Sequence, residues 1–295
     1  MIEYIIDDEY SGVRIDRYLR KKLKNTNLSD IYKMIRKGKI KINEKKVKQD
    51  TRLNSGDILQ LYSKINVDEE PQDKFIEISL ERKKLLEDSI VFENVDLFII
   101  NKSAGDIVHK GSGHSISLLE EYRAYFQNNT VNFVNRIDKD TSGLVIGAKN
   151  IRTARKIAEY IREREIEKKY YILVDGVIEQ EEFFIENYLK KDEIEEKIVV
   201  SNEEKEGYKK STTFFKKIKV LQKNTILEAD LKTGRTHQLR AQLAHIGHAI
   251  VGDKKYGKNN DKEKMYLFSH YINIPKENIE IDLEMPKNFL NIINN

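Results

Sequence analysis

An aspartate beside an arginine, in a loop between two apolar runs, can be a salt-bridged turn or a nucleophile. Residues 135–144 present that choice. Asn135-Arg136-Ile137-Asp138-Lys139-Asp140-Thr141-Ser142-Gly143-Leu144 is flanked by Val131, Phe133 and Val134 on one side and by Leu144, Val145 and Ile146 on the other. A nucleophilic carboxylate must stay charged, which nearby cations favour. A second stretch, Gly234-Arg235-Thr236-His237-Gln238-Leu239-Arg240, combines a turn glycine, two arginines and a helix start. Backbone N–H groups and the helix dipole favour an anion there, although an ordinary strand-to-helix turn reads the same way. A third, Lys168-Lys169-Tyr170-Tyr171, sets an aromatic beside basic residues, where the ring could stack on a nucleobase or fill a core. His237, His245, His248 and Asp253 are the candidate metal ligands. The spacing of the first two puts them roughly 80° apart on an ideal helix, poor for shared ligation, so no metal site is expected.

These residues need elements to hold them. Ile15, Tyr18, Leu19 and Leu23 fall at helical spacing, with Arg17, Arg20, Lys21, Lys22 and Lys24 between them. Ser29 is placed to cap a second helix carrying Ile31, Met34 and Ile35, which Gly38 would stop. Ile40 and Ile42 alternate as a strand. Asn43 and Glu44 form a turn, another strand starts at Val47, Gly56 and Asp57 turn again, and Leu59 and Leu61 share one face of a closing strand. Residues 11–64 thus read as a compact α/β module. Residues 65–85, with Asp68, Glu69, Glu70, Pro71 and Asp73, read as a linker. Beyond it, strands are expected at 90–92, 97–101, 170–174 and 226–231. The loop 102–113 contains Gly105, Gly111 and Gly113. Residues 151–163 form an amphipathic helix with Ile151, Ala154, Ile157, Ala158 and Ile161 on one face. The acidic stretch 177–210 reads as peripheral. Thr236 is placed to cap a helix that runs through Leu239 and Leu243 to Ile246 and stops at Gly247.

The bulk properties narrow the function. The chain has 295 residues, 39% hydrophobic and 35% charged, enough for one large domain plus a small one. No apolar run approaches the ~20 residues a membrane helix needs. Glu3, Asp7, Asp8 and Glu9 give the first ten residues the wrong sign for a secretory leader. The lack of cysteine excludes disulfides, thiolate metal sites and cysteine nucleophiles, and fits a reducing cytoplasm. Net charge is only +4, but residues 11–64 hold sixteen Lys/Arg against five Asp/Glu. Such a basic segment is the footprint of a phosphate-backbone binder; a solvated lysine-rich surface is the plain alternative.

Together these stretches resemble the RluA family of pseudouridine synthases over nearly the whole chain, and especially its large-subunit ribosomal RNA members with an N-terminal S4 domain. Arg136 through Leu144 is similar to the family's catalytic motif. Gly234 through Arg240 is similar to a later motif, followed by Gly247-His248, Val251-Gly252-Asp253 and Tyr256-Gly257. Ile99-Ile100-Asn101-Lys102-Ser103-Ala104-Gly105 with Val108-His109 resembles the early motif, and Glu167-Lys168-Lys169-Tyr170 the segment with the active-site tyrosine. Residues 14–61 resemble an S4 module, most specifically from Ser29 to Gly38. The resemblance departs at Asn135, where the family usually has His, and at Ser103, where it usually has Pro.

The resemblance implies an α+β chain: an S4-like RNA-binding domain at 11–64, a linker at 65–85, and a pseudouridine synthase catalytic domain at 86–295 built on a mixed, mainly antiparallel sheet flanked by helices. It implies Asp138 as nucleophile, Arg240 as its ion-pair partner and Tyr170 as the ring stacked on the target base. Arg136, Thr141, Arg235, His237 and Gln238 would bind substrate, and Lys33, Arg36 and Lys37 would form the RNA face of the S4 module. Breaking the N1–C1′ bond and rejoining the base through C5 gains or loses no atom, so no cofactor or metal is expected. The implied partner is structured RNA, the large-subunit ribosomal RNA in particular, and the implied state a cytoplasmic monomer. Transfer RNA is the alternative substrate for the same chemistry, and a non-catalytic RNA-binding or ribosome-assembly protein is the alternative class. Whether Asp138 attacks C1′ or removes a ribose proton stays open at this level.

Overall fold

The computed structural model describes residues 1–23, 26–62, 75–110, 116–257 and 264–294. Lys24, the acidic stretch 68–73 and the loop glycines Gly111 and Gly113 lie outside the described residues.

The N-terminal module contains strands β1 (Ile2–Ile5), β2 (Ile40–Ile42), β3 (Lys45–Lys46) and β4 (Ile58–Leu61), paired antiparallel in the order β1-β4-β2-β3. Helices α1 (Ile15–Lys22) and α2 (Leu28–Arg36) close one core with the sheet. Ile15, Tyr18, Leu19 and Leu23 of the first helical stretch and Ile31 and Ile35 of the second are buried in it, against Ile40, Leu59 and Leu61. Asn43 and Glu44 both take positive φ, 49° and 66°, as the tight β2–β3 turn requires. The cap of α2 is Asn27 rather than Ser29: Asn27 Oδ1 accepts from the Asp30 N–H, and the Ser29 hydroxyl donates to that same oxygen. The strand expected from Val47 lies two residues earlier, at β3.

The larger, C-terminal half begins inside the stretch read as linker. Helix α3 (Leu80–Asp88) is capped by Ser79 Oγ and buries Leu86 in the main core. Then follow β5 (Ile90–Glu93), β6 (Leu97–Lys102), α4 (Leu118–Phe126), β7 (Asn132–Phe133), β8 (Ser142–Ala148), α5 (Ile151–Arg162), β9 (Glu167–Asp175), β10 (Glu182–Lys191), β11 (Ile198–Ser201), β12 (Lys209–Val220), β13 (Asn224–Leu231), α6 (Gln238–His245), β14 (Leu267–Ile274), β15 (Ile279–Asp282) and α7 (Lys287–Asn294). The strands form one sheet in the order β11-β10-β12-β13-β9-β14-β8-β6-β5, with β15 on β14 and β7 on β8. Every pairing is antiparallel except β14 with β8. The α+β architecture with a mixed, mainly antiparallel sheet is therefore present.

Side-chain alternation on β9 shows how the sheet divides its cores. Tyr170, Ile172 and Val174 face the largest cluster, while Tyr171 and Leu173 face the opposite side. Helix α5 covers that second side with Ile157, Thr153 and Tyr160; Ala158, expected on its apolar face, is exposed. The acidic stretch 177–210 is more integral than its composition suggested. β10 pairs along β12 and places Ile185 in the main core, and only β11 is an edge. Glu182 and Glu186 face outward on β10, either side of an exposed Phe184, which hides the strand from a composition count.

Candidate active site

Asp138 lies in the loop between β7 and β8, and its Oδ2 accepts a hydrogen bond from Arg240 Nη1 at 2.9 Å. Arg240 sits on α6, near its N-terminus, where six consecutive residues, Gln238 to Leu243, are all buried. A helix buried on every side must satisfy its polar groups internally. Gln242 Oε1 accepts from Thr213 Oγ1 at 2.7 Å, and its Nε2 donates to Asn187 Oδ1 at 3.0 Å. Arg240 is fixed by Asp253, with Nε to Oδ2 at 2.7 Å and Nη2 to Oδ1 at 2.8 Å. Asp253 Oδ1 also accepts from the Lys255 and Tyr256 N–H groups. The Asp253 side chain is fully buried, whereas that of Asp138 keeps 21% of its surface exposed. One carboxylate therefore anchors the guanidinium, and the other is presented to the cavity. Burial opposes the charge on Arg240, but Asp253 and Asp138 outweigh it and its pKa is raised. Burial likewise pushes the Asp253 carboxyl up, and the guanidinium brings it below the usual carboxylate range.

His237, rather than Thr236, caps α6, in the left-handed region at φ 51°. A non-glycine residue there carries strain typical of functional sites. Its Nδ1 lies 3.0 Å from the Tyr256 hydroxyl, which accepts from the Ile198 N–H at 2.8 Å. On the other side of the ring, Nε2 lies 3.7 Å from Asp138 Oδ2. Burial lowers the His237 pKa more than Asp138 raises it. The Tyr256 ring also faces the Arg240 guanidinium at 5.2 Å.

Tyr170, on β9, is buried opposite Ser269 of β14. Burial pushes its phenol up to about 12, which keeps it protonated. With Leu231, Leu239 and Leu267 it forms the apolar part of a small cavity of about 70 Å³. Arg136, Ile137, Asp138, His237 and Arg240 line both this cavity and a wider one of about 520 Å³, a size typical of ligand sites. Thr141 Oγ1 borders the small cavity, is buried, and has no hydrogen-bond partner among the described residues. Arg235 borders it too, with Nε donating to Lys210 O. Gln238 lines the small cavity as well. Its Oε1 accepts from Thr233 Oγ1 and the Arg235 N–H, and its Nε2 donates to Thr213 Oγ1, so the amide is engaged by the protein and shapes the loop. Lys33, Arg36 and Lys37 are exposed on α2 and border neither cavity. His245 and His248 bond elsewhere, to Asn202 Oδ1 and Asp175 O, and do not converge with His237.

The structure adds residues that motif reading passed over. Lys197, Lys254 and Lys255 line the wide cavity with Arg136 and His109. Lys254 and Lys255 directly follow Asp253 in sequence; Lys197 comes from the acidic stretch and carried no signal. Lys102 is buried, with Nζ donating to the carbonyls of Ser103, Asp106 and Lys139 at 2.8, 2.9 and 3.0 Å. Burial lowers its pKa to about 8. It ties the loop after β6 to the backbone next to Asp138. Asn135 Oδ1 accepts from the Ile146 N–H at 2.7 Å, so the departure at this position still pins the loop that bears Asp138 to β8.

A family model described as RNA pseudouridylate synthase matches residues 96–245, and an S4 domain model matches residues 13–59. The "Ribosomal large subunit pseudouridine synthase C" of Buchnera aphidicola subsp. Schizaphis graminum is 38% identical over 261 residues, covering 86% of this chain and 80% of the relative. The protein of that name from Haemophilus influenzae is 35% identical over 262 residues, covering 88% of this chain and 80% of the relative. Among solved structures, "Human RNA Pseudouridylate Synthase Domain Containing 4" superposes with a TM-score of 0.62 at 19% identity, covering 72% of this chain and 95% of that one. "Human RNA Pseudouridylate Synthase Domain Containing 1" gives 0.57 at 24% identity, covering 67% and 82%. Both show a shared fold.

Proposed function

The chain belongs to the RNA pseudouridylate synthase family and is an RNA pseudouridine synthase; on that premise we propose that it converts uridines of large-subunit ribosomal RNA to pseudouridine with Asp138 as the reacting carboxylate. The observation that carries the residue assignment is the Asp138–Arg240–Asp253 arrangement. A guanidinium locked by a buried acid offers its remaining N–H to a second acid that faces a cavity. The ribosomal target is supported by the names of relatives that share more than a third of their aligned residues with this chain.

A stacked uridine hides its C1′, so the target must be extruded, at a cost of a few kcal/mol. Arg136, exposed at the rim, and the lysines of the wide cavity hold the backbone while this happens. The Tyr170 ring and the surrounding leucines give the base an apolar surface, and the Thr141 hydroxyl offers it a polar contact. Asp138 then reacts, by attack on C1′ or by removal of a ribose proton, as the N1–C1′ bond opens. The base turns and C5 bonds to C1′. The proton lost from C5 is balanced by the one gained at N1, so the product is an isomer of the substrate. We further propose that the enzyme works in the cytoplasm as a monomer, with the S4 module supplying affinity through Lys33, Arg36 and Lys37.

Chemical mapping of pseudouridine in ribosomal RNA from cells with and without the gene tests the target; loss of one or more large-subunit sites is expected. Unchanged ribosomal RNA with altered transfer RNA would redirect the assignment. In a purified assay Asp138→Asn is expected to bind RNA within a fewfold of wild type and to form no pseudouridine. Turnover by that variant would defeat the assignment.

A further inference from the structure

The N-terminal module meets α5 along residues 8–12. Glu9 Oε1 accepts from the Ile151 N–H at 3.3 Å, and Asp8 pairs with Arg152 at 3.2 Å. One helical turn on, the acids give way to arginines. Arg155 Nη1 donates to Ser11 O at 2.7 Å, and Arg52 Nη1 donates to Gly12 O at 2.8 Å. Two consecutive carbonyls therefore hold two guanidiniums side by side, one from each half of the protein. Gly12 adopts φ +77°, and a Cβ there would lie 3.8 Å from the Arg155 Nη1.

Arg17, exposed on α1, is the third charge of the cluster. Among the described residues no ion pair involves Arg17, Arg52 or Arg155. Their neighbour Arg14, bridged to Arg52 across the backbone, is instead neutralised by Asp16 at 2.7 Å. Burial, then the charges of Arg52 and Arg17, lower the Arg155 pKa, and the nearby Glu9 does not cancel them. Each guanidinium has five N–H donors, and the carbonyl bonds of Arg52 and Arg155 use one apiece. The seam therefore concentrates like charge and presents fork-shaped donors, the pattern that suits phosphate.

We propose that Arg17, Arg52 and Arg155 form one phosphate-backbone site for the substrate RNA, spanning the N-terminal module and α5. The proposal rests on the reading that the substrate is a structured RNA, and it extends the RNA track from the basic module onto the catalytic half. Helix α5 starts just past the far end of β8, and the seven residues of that strand, at ~3.3 Å each, place its start roughly 20 Å from Ser142. Phosphates held at the seam are therefore remote from the target nucleotide. They orient the RNA without reading its sequence.

The test measures binding of the full-length protein to large-subunit ribosomal RNA transcribed in vitro, over a range of salt concentrations. Arg52→Gln and Arg155→Gln are each expected to weaken binding severalfold and to reduce the slope of log K against log salt by about 0.9 for each phosphate no longer neutralised. Arg162→Gln, on the same helix but paired with Glu159 and Glu163, is expected to change neither. Unchanged affinity in both seam variants overturns the proposal. So does weaker binding at an unchanged slope, which would make the arginines a staple between the two halves. Weaker binding to poly-glutamate with RNA binding intact would assign the seam to an acidic protein and also overturn it. The readout is binding, so wild-type protein that binds RNA but forms no pseudouridine would refute the proposed target without deciding against the seam.

Discussion

Arg240 bonds two carboxylates at once, bidentate to buried Asp253 and through its third nitrogen to Asp138. A lysine ammonium is a point charge and cannot reproduce that planar fork. Beside it, His237 Nδ1 is held from behind by a hydrogen bond with the Tyr256 hydroxyl, while Nε2 lies 3.7 Å from Asp138 Oδ2. Tyr256→Phe keeps the ring against Arg240 and removes the hydrogen bond to His237 Nδ1. The expected result is a changed balance of ring tautomers in ¹⁵N spectra of His237. Turnover is expected to fall about tenfold, equivalent to roughly 1.4 kcal/mol, with RNA affinity unchanged. Identical spectra for variant and wild type would remove Tyr256 from this role.

At the level of elements, the site depends on β8 and β14 lying close enough to pair in parallel. Gly143 makes that approach possible. It has φ +111°, and a Cβ there would sit 2.2 Å from the Ser269 carbonyl oxygen. Both the backbone region and the contact exclude a side chain, and the contact is with backbone that cannot rotate away. Gly143→Ala is expected to destabilise the protein by about 3 kcal/mol or more, from strain and forced separation of the strands. Urea unfolding measures this, and wild-type stability in the variant would mean that the two strands separate freely. Near the other end of β8, a Cβ on Gly147 would lie 2.1 Å from the Phe98 ring, a side-chain contact with no demand on φ. The strand that follows the Asp138 loop is thus closely packed near both ends.

At the scale of the molecule, a basic module of few residues is joined to a large catalytic half through an acidic–arginine seam. Removing residues 1–64 is expected to leave the larger sheet folded, because its cores draw on no residue of the N-terminal module. It should weaken RNA binding and flatten the salt dependence by about 0.9 for every phosphate the module had neutralised. Equal affinity and slope in the truncated protein would show that the module supplies no phosphate contacts.

Local chemistry made much of this protein legible from sequence. Helical spacing in residues 15–23 and 151–162, alternation at Ile40 and Ile42, and the buried run from Tyr170 to Val174 each report a short-range constraint, and each is found as an element. The loop Arg136 to Leu144 and the stretch Gly234 to Arg240 each read equally well as ordinary turns, and it is their joint resemblance to family motifs that singles them out. Boundaries decided by competition were not legible: Asn27 wins the cap of α2 from Ser29, and His237 takes that of α6 from Thr236. Nor was the inward face of β10, masked by its outward acids. The meeting of Asp138 with Arg240, 102 residues apart, the hydroxyl that orients His237, and the side-by-side arginines of the seam are long-range contacts. No spacing rule encodes them, because they exist only once the sheet has closed and brought distant loops to the same edge.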